Sequence, residues 1–234
     1  MKIIAIDSSG LVASVAIAEN DNMIAEYTVN YKKTHSQTLL PMLDEIVKMT
    51  DTDLSTVDAI AVAKGPGSFT GLRIGCASAK GLGLALNIPI IPVPTVDAIS
   101  YNLWGCGKII CPMMDARRSQ VYTGLYEFEN GIHKVILPQC AVAAEEIIEK
   151  INETGRPVVF LGDGVPVNKE IIESNIRVEY SYAPPHMARQ RAGALAALGL
   201  EYYSKGMYES AAEHKPDYLR KSQAEREREE AGNN

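Results

Sequence analysis

Residues 59–85 read AIAVAKGPGSFTGLRIGCASAKGLGLA, and more follows from this stretch than from any other. The apolar run at 59–63 has the length and composition of a buried strand. It enters a tight loop, Gly65-Pro66-Gly67-Ser68, and continues straight into a helix. Within that helix Gly71, Gly75, Ala79 and Gly83 recur every four residues and so lie near one face. A helical glycine costs about 1 kcal/mol relative to alanine. A row of them is tolerated where something packs very close to the backbone. Arg73 and Lys80 are the helix's only charges, and a helix apolar nearly all round is a buried one. The reading predicts a helix wedged between two surfaces, the second of them to be identified.

Outward from this stretch, residues 2–6, 13–18 and 23–30 read as short strands with turn residues between them. A helix over 35–49, the 59–63 strand, the glycine-studded helix and a strand at 89–93 follow. Three antiparallel-looking strands and then alternating helix and strand predict an α/β fold, a mixed sheet covered by helices. The same layout begins again at CPMMDARRSQVY, residues 111–122. Each beginning has an apolar strand, an aspartate, a polar turn and a second strand, so that Asp7 and Asp115 correspond. Helices are expected at 143–152 and 166–174, and strands at 158–161 and 176–180. A long helix at about 186–205, rich in alanine and leucine, is expected to pack back across the first lobe. The chain thus divides into a first lobe at 1–105, completed by the helix at about 186–206, a smaller lobe at 106–185, and a charged segment at 207–234.

The 234 residues are 46% hydrophobic and 22% charged, as in ordinary globular proteins. A chain of this length buries roughly 70–75% of its unfolded surface. No apolar run reaches the roughly 20 residues that span a bilayer. The opening MKIIAID meets a carboxylate too early for a signal peptide. Cys76, Cys106, Cys111 and Cys140 form no C-x-x-C pair and read as reduced thiols, which implies the cytoplasm. His35, His133, His186 and His214 never fall at i, i+4, so no metal site is expected. With a net charge of −6 and no basic stripe in the folded part, the chain is poorly equipped to hold RNA alone. It could serve a complex in which another subunit does.

The 35–49 helix spreads Leu39, Leu40, Met42, Leu43, Ile46, Val47 and Met49 over about half its circumference at 100° per residue. A helix that covers only its own domain needs an apolar stripe of about 100°. Two readings account for the surplus. One is burial under the C-terminal helix; the other is a subunit contact, which needs about 800 Å² per partner. Pro41 is expected to kink this helix or to mark a late start.

Gly65-Pro66-Gly67-Ser68-Phe69-Thr70-Gly71 stands between a strand and a helix N-terminus, where anions are favoured. It is not a P-loop, since no Lys-Ser or Lys-Thr follows a G-x-x-x-x-G. A tight turn capped by Ser68 is the preferred reading, and a phosphate cradle the other. Asp7-Ser8-Ser9 resembles the D-x-G turn that holds phosphates in actin-like and sugar-kinase-like ATPases. Ser9 stands at the glycine and hinders close backbone approach, so a strand-end turn with Asp7 as a local cap is the preferred reading, and a vestigial phosphate turn at Asp7, Ser8 and Ser9 the other. Ser68 lacks the G-x-S-x-G elbow of a hydrolase. His35 sits at the edge of its helix's apolar arc, as a satisfied buried or interfacial histidine does. Asp115-Ala116-Arg117-Arg118 reads as charges paired across a turn.

Together IIAIDSS, THSQTLLPMLDEI, KGPGSFTGLRIGCASAKGL, PVPTVDAIS, MMDARRSQVY and KPDYLRKS resemble the TsaB (YeaZ) family, over about residues 1–222. The GPGSFTG-x-R-x-G segment is the most specific part. The resemblance implies a two-lobed fold of the actin-like ATPase (ASKHA, RNase H-like) superfamily. It also implies a role in threonylcarbamoyladenosine (t6A) modification of tRNA. TsaB-like proteins pair with TsaD, a paralogue that transfers threonylcarbamoyl to N6 of adenosine 37 in tRNAs reading ANN codons, and the ATPase TsaE joins them. TsaD carries H-x-x-x-H metal ligands on the helix corresponding to 34–50; here His35 is followed by Leu39. The implied chain is therefore a catalytically silent scaffold. ATP or ADP and a metal belong to the partner subunits, tRNA is met only through the complex, and the chain alone forms a homodimer. In this family the first two helices build the contact with TsaD, which makes Leu39, Met42, Leu43, Ile46, Gly71, Gly75 and Ala79 the expected contact residues. A small-molecule kinase of the same fold and a peptidase are the rival readings; the first needs a working phosphate turn, the second a metal pair or an activated serine.

Overall fold

The computed structural model describes residues 1–31 and 34–219. Strands β1 (Lys2–Asp7), β2 (Ala13–Glu19) and β3 (Asn22–Val29) form an antiparallel meander. Helix α1 (His35–Met49) leads to β4 (Ala59–Gly65), helix α2 (Phe69–Leu86) and β5 (Ile90–Pro94). The strand order is β3-β2-β1-β4-β5, with β4 parallel to both its neighbours. Both faces of this sheet are covered, which is why its strands read as continuous apolar runs. Ile4, Ile6, Val15, Ile17, Ile60 and Val62 pack with α1 and α2. Ile3, Ala5, Ala16, Ala61, Ile91 and Val93 pack on the opposite side with Leu195, Ala196 and Leu198 of the helix at Ala192–Ser204.

The second sheet repeats the first strand for strand. Its members are β6 (Ile109–Asp115), β7 (Gln120–Glu129), β8 (Ile132–Ala143), β9 (Val158–Leu161) and β10 (Tyr180–Tyr182). They run in the order β10-β9-β6-β7-β8, again three antiparallel strands followed by two parallel ones. Asp7 closes β1 and Asp115 closes β6, so the two aspartates correspond as expected. Gly65 at the end of β4 has φ 124° and Gly162 just past β9 has φ 108°, a region that favours glycine. Helices α4 (Ala144–Thr154), α5 (Gly164–Val167) and α6 (Lys169–Asn175) belong to this second lobe.

Helix α3 (Thr95–Tyr101) joins the lobes. Its Asp97, nearly fully buried, accepts hydrogen bonds from Tyr126 on β7 (2.7 Å) and Tyr202 (3.3 Å) on the helix that follows as α7 (Ala192–Ser204). One carboxylate therefore ties an element of each lobe to the connecting helix. His133 stacks on Tyr126 with centroids 5.3 Å apart and bonds to Ser100 at 2.7 Å.

Several expectations are corrected. The last strand is Tyr180–Tyr182, later than 176–180. The helix expected at 166–174 divides into α5 and α6 at Asn168, whose side chain donates to the Gly164 carbonyl at 2.8 Å. Helix α7 begins at Ala192 rather than at about 186, because the preceding residues are held in a turn by other bonds: Asn102 donates to the carbonyls of Met187 (3.0 Å) and Arg189 (2.7 Å). Helix α1 starts at His35 and continues through Pro41, so there is no late start. It lies on the face of the sheet opposite α7, which overturns its expected burial under the C-terminal helix. The long β8 and the short α3 have no counterpart in the sequence reading. No helix among the described residues is long and apolar enough to cross a membrane. Of the charged segment expected at 207–234, the part from Arg220 onward lies outside the described residues.

Candidate functional site

The surface against which the glycine row packs is Ser8, just beyond the end of β1. A Cβ on Gly71 would stand 2.0 Å from the Ser8 carbonyl oxygen, and one on Gly75 would stand 2.6 Å from the Ser8 hydroxyl. That hydroxyl donates to the Gly71 carbonyl at 2.9 Å. Farther along, a Cβ on Gly83 would stand 2.8 Å from Ala211. The row lets β1 and the C-terminal segment approach the helix backbone, inside one chain.

The two turns form a single unit. Asp7 is buried, and its Oδ1 accepts from the Ser9 backbone (2.8 Å) and the Ser9 hydroxyl (2.6 Å), while its Oδ2 has no partner among the described residues. Burial pushes its carboxyl above the usual carboxylate range, against the two Ser9 bonds and the nearby His35, which pull it down. The Ser68 amide donates to the Ser9 carbonyl at 2.7 Å, and a Cβ on Gly67 would stand 2.3 Å from that oxygen. Ser68 caps α2, accepting from Gly71 N at 3.3 Å, as the capped-turn reading expects. His35 bonds to the Gly10 carbonyl at 2.8 Å. Apart from Asp7 Oδ2, the side chains of Asp7, Ser8 and Ser9 thus bond to one another and to α2.

These turns open on a cleft of about 580 Å³ between the lobes, lined by residues that include Ser9, His35, Gly67, Asp115, Asp163 and Asp217. Asp115 Oδ1 accepts from the Arg117 amide at 2.8 Å, and Asp163 accepts from the Asp115 amide at 3.2 Å. Burial pushes the Asp163 carboxyl up. The C-terminal segment enters the same cleft. Asp217 N donates to the Lys64 carbonyl at 2.6 Å, and a Cβ on Gly65 would stand 2.1 Å from the Asp217 carbonyl oxygen. Arg117 lines the same cleft and pairs with Asp115 (3.8 Å), and Lys64 stands 3.9 Å from Asp217. The described residues hold no cluster of three or more His, Cys, Asp or Glu suited to a metal.

All seven expected contact residues are buried within this chain. Leu39, Met42, Leu43, Ile46 and Ala79 belong to the core beneath α1 and α2, and Gly71 and Gly75 face Ser8. Along α2 the exposed residues include Thr70, Arg73, Ala77, Gly81 and Leu84 (60% exposed), while on α1 Leu40 (47%) and Met49 (76%) stand on opposite flanks of an outward side formed by Gln37, Pro41, Asp44 and Lys48. A Cβ on Gly81 would meet no described atom within 4 Å. Leu40 and Met49 are in the apolar arc read from the sequence; Gly81 stands outside the four-residue row and so gave no signal there. The segment 209–219 was visible only as the motif KPDYL, without periodicity to place it.

Two five-stranded sheets of the same order, facing one another across a cleft into which Asp7 and Asp115 turns project, define the actin-like class of fold. Solved structures agree: YeaZ from Pseudomonas aeruginosa superposes with a TM-score of 0.81 at 24% identity, covering 93% of this chain and 99% of that one. A ROK hexokinase from Thermus thermophilus shares the fold at a TM-score of 0.50 and 10% identity, over 88% of this chain and 100% of that one. The family model described as "TsaD: tRNA N6-adenosine threonylcarbamoyltransferase" matches residues 22–228. The "tRNA threonylcarbamoyladenosine biosynthesis protein TsaB" of Bacillus subtilis (strain 168) is 37% identical over 225 residues, 96% of each chain. The chain belongs to the TsaB (YeaZ) family.

Proposed function

We propose that this chain serves tRNA threonylcarbamoyladenosine biosynthesis as a non-catalytic subunit that holds a TsaD-type paralogue in its productive dimer. The observation that carries this reading is Gly81. It is a mid-helix glycine that no described residue of its own chain requires, at a cost of about 1 kcal/mol relative to alanine. It lies beside Ala77 and Leu84 on the exposed face of α2. Small residues on an apolar helix face admit close approach of another helix. The contact surface is accordingly the outward side of α1 and α2, while Leu39, Met42, Leu43, Ile46, Gly71, Gly75 and Ala79 support it from beneath.

Catalytic silence is supported by the turns. Ser9 occupies the Oδ1 atom of Asp7 with both its backbone amide and its hydroxyl, and Asp217 closes on Gly65. Asp7, Ser8 and Ser9 are on this reading a vestigial phosphate turn turned to structural use. Nucleotide and metal chemistry belongs to the TsaD-type and TsaE-type partners, and tRNA is met through the assembly in the cytoplasm. Without a partner, the same face pairs two copies of this chain. Ser9, in place of the phosphate turn's glycine, speaks against the kinase reading.

The test is co-elution of the chain with a TsaD-type subunit. Gly81→Leu and Leu40→Asp are expected to fold and to lose the pairing. Pairing at wild-type strength by both variants would move the interface elsewhere.

A further inference from the structure

Beside the Gly81 stripe stands an arginine whose position is fixed in advance. Arg73 lies four and eight residues before Ala77 and Gly81, on the same exposed side of α2. Its guanidinium carbon is 4.0 Å from the centroid of the Phe69 ring, and its Nε donates to the Tyr218 hydroxyl at 3.2 Å. The Phe69 and Tyr218 rings are themselves in contact, with centroids 4.6 Å apart. Tyr218 is held from the other direction. Glu209 pairs with Ile90, Lys80 donates to the carbonyls of Ala212 (2.8 Å) and His214 (3.0 Å), and Asp217 is bonded to Lys64. The segment 209–219 therefore runs along α2 from its end to its beginning and delivers one phenol to one guanidinium.

A solvent-exposed arginine ordinarily loses considerable side-chain entropy on engaging a partner. Here the stacking on Phe69 and the bond to Tyr218 have already restricted it, and among the described residues only its Nε edge is bonded. A planar fork held in place beside an apolar stripe is the arrangement of an interface anchor, a role in which Arg and Tyr are enriched. Its natural acceptor is a carboxylate, which takes the fork in two parallel bonds. A nucleic-acid phosphate fits less well. The stripe that Arg73 extends is apolar, and the chain's net charge of −6 does not favour a nucleic-acid phosphate.

We propose that Arg73, held by Phe69 and Tyr218, is the polar anchor of the outward face of α2 and takes a carboxylate of the TsaD-type partner. The C-terminal segment is then part of the docking apparatus through Tyr218. This proposal rests on the docking reading above.

The experiment is calorimetric titration of the full chain with a purified TsaD-type subunit at low and at high salt. Arg73→Ala, Arg73→Lys, Tyr218→Phe and Gly81→Leu are compared with the wild type, each checked by thermal unfolding. Arg73→Ala is expected to weaken binding tenfold or more at low salt, with a smaller difference at high salt. Arg73→Lys recovers part of the loss, and Tyr218→Phe, which keeps the ring and removes only the hydroxyl, weakens binding a few-fold. If Arg73→Ala does not fold, the other two conservative variants carry the test. Wild-type affinity in the Arg73 and Tyr218 variants, with Gly81→Leu still abolishing binding, overturns the anchor and leaves the docking face standing. Wild-type affinity in Gly81→Leu as well overturns the docking reading itself. Arg73 variants that bind the partner normally but lower the assembled complex's affinity for tRNA would assign Arg73 to a phosphate and overturn the proposal.

Discussion

Ser8 donates its hydroxyl to the carbonyl of Gly71 across 63 positions of sequence, and so fastens the end of β1 to the first turn of α2. The contact gives the glycine row its purpose and yields the first prediction. Gly75→Val places side-chain atoms where the Ser8 hydroxyl now lies. It is expected to destabilise the chain by about 1–3 kcal/mol, the usual cost of overpacking. Urea denaturation checks this. A variant as stable as the wild type would show that Ser8 moves aside freely.

Gly81 should behave in the opposite way. With no described atom near its Cβ position, Gly81→Ala is expected to raise the stability of the chain alone by about 0.5–1 kcal/mol. A melting temperature that falls instead would mean that Gly81 is needed inside the chain, and the surface argument would lose its main support.

The bond from Tyr126 to Asp97 crosses from the second lobe to the connecting helix. Tyr126→Phe leaves a buried carboxyl short of a donor, at an expected cost of about 1–3 kcal/mol. Hydrogen exchange should quicken in α3 and at the Tyr202 end of α7. Exchange that stays at wild-type rates in both elements would show that Asp97 does not tie the lobes.

His133 gives a pH dependence of definite sign. Burial pushes its imidazole down to about 4 from 6.5. A depressed histidine stabilises the fold above its unfolded value, and that stability is lost as pH falls through the folded one. Asp7, Asp97 and Asp163 are raised by burial, so their contribution is present below 3.8 and lost as pH rises, the opposite slope. Comparison with His133→Gln cancels the carboxylates. The wild type's advantage over this variant should shrink by on the order of 2 kcal/mol between pH 7 and pH 4, after discounting for the ring's partial exposure. Melting curves across that range test it; a constant difference would contradict it.

The first lobe is legible in the sequence, because its buried strands are short apolar runs between turn residues and its helices have a clear period: the 35–49 reading coincides with His35–Met49. The Asp7–Asp115 correspondence was legible too, since both aspartates close an apolar strand. The start of α7 was not, because the turn before it is set by Asn102, more than eighty residues away in sequence. That the seven expected contact residues are buried in the chain's own core was not legible either. Spacing shows that a glycine row needs a close neighbour, but does not say whether that neighbour is Ser8 of the same chain or another subunit. The placement of segment 209–219 along α2 rests on single hydrogen bonds and backbone approaches, which leave no periodic mark.

The central claim is that this chain works as a silent partner. The measurement that tests it most directly is threonylcarbamoylation of tRNA by TsaD-type and TsaE-type proteins supplied with threonylcarbamoyl-adenylate, with and without this chain, and by the chain alone. Product is expected only when the chain joins the other two, and none from the chain alone. Equal product without the chain, or modification by the chain itself, would contradict the account and return the Asp7 and Gly65 turns to consideration as a working active site.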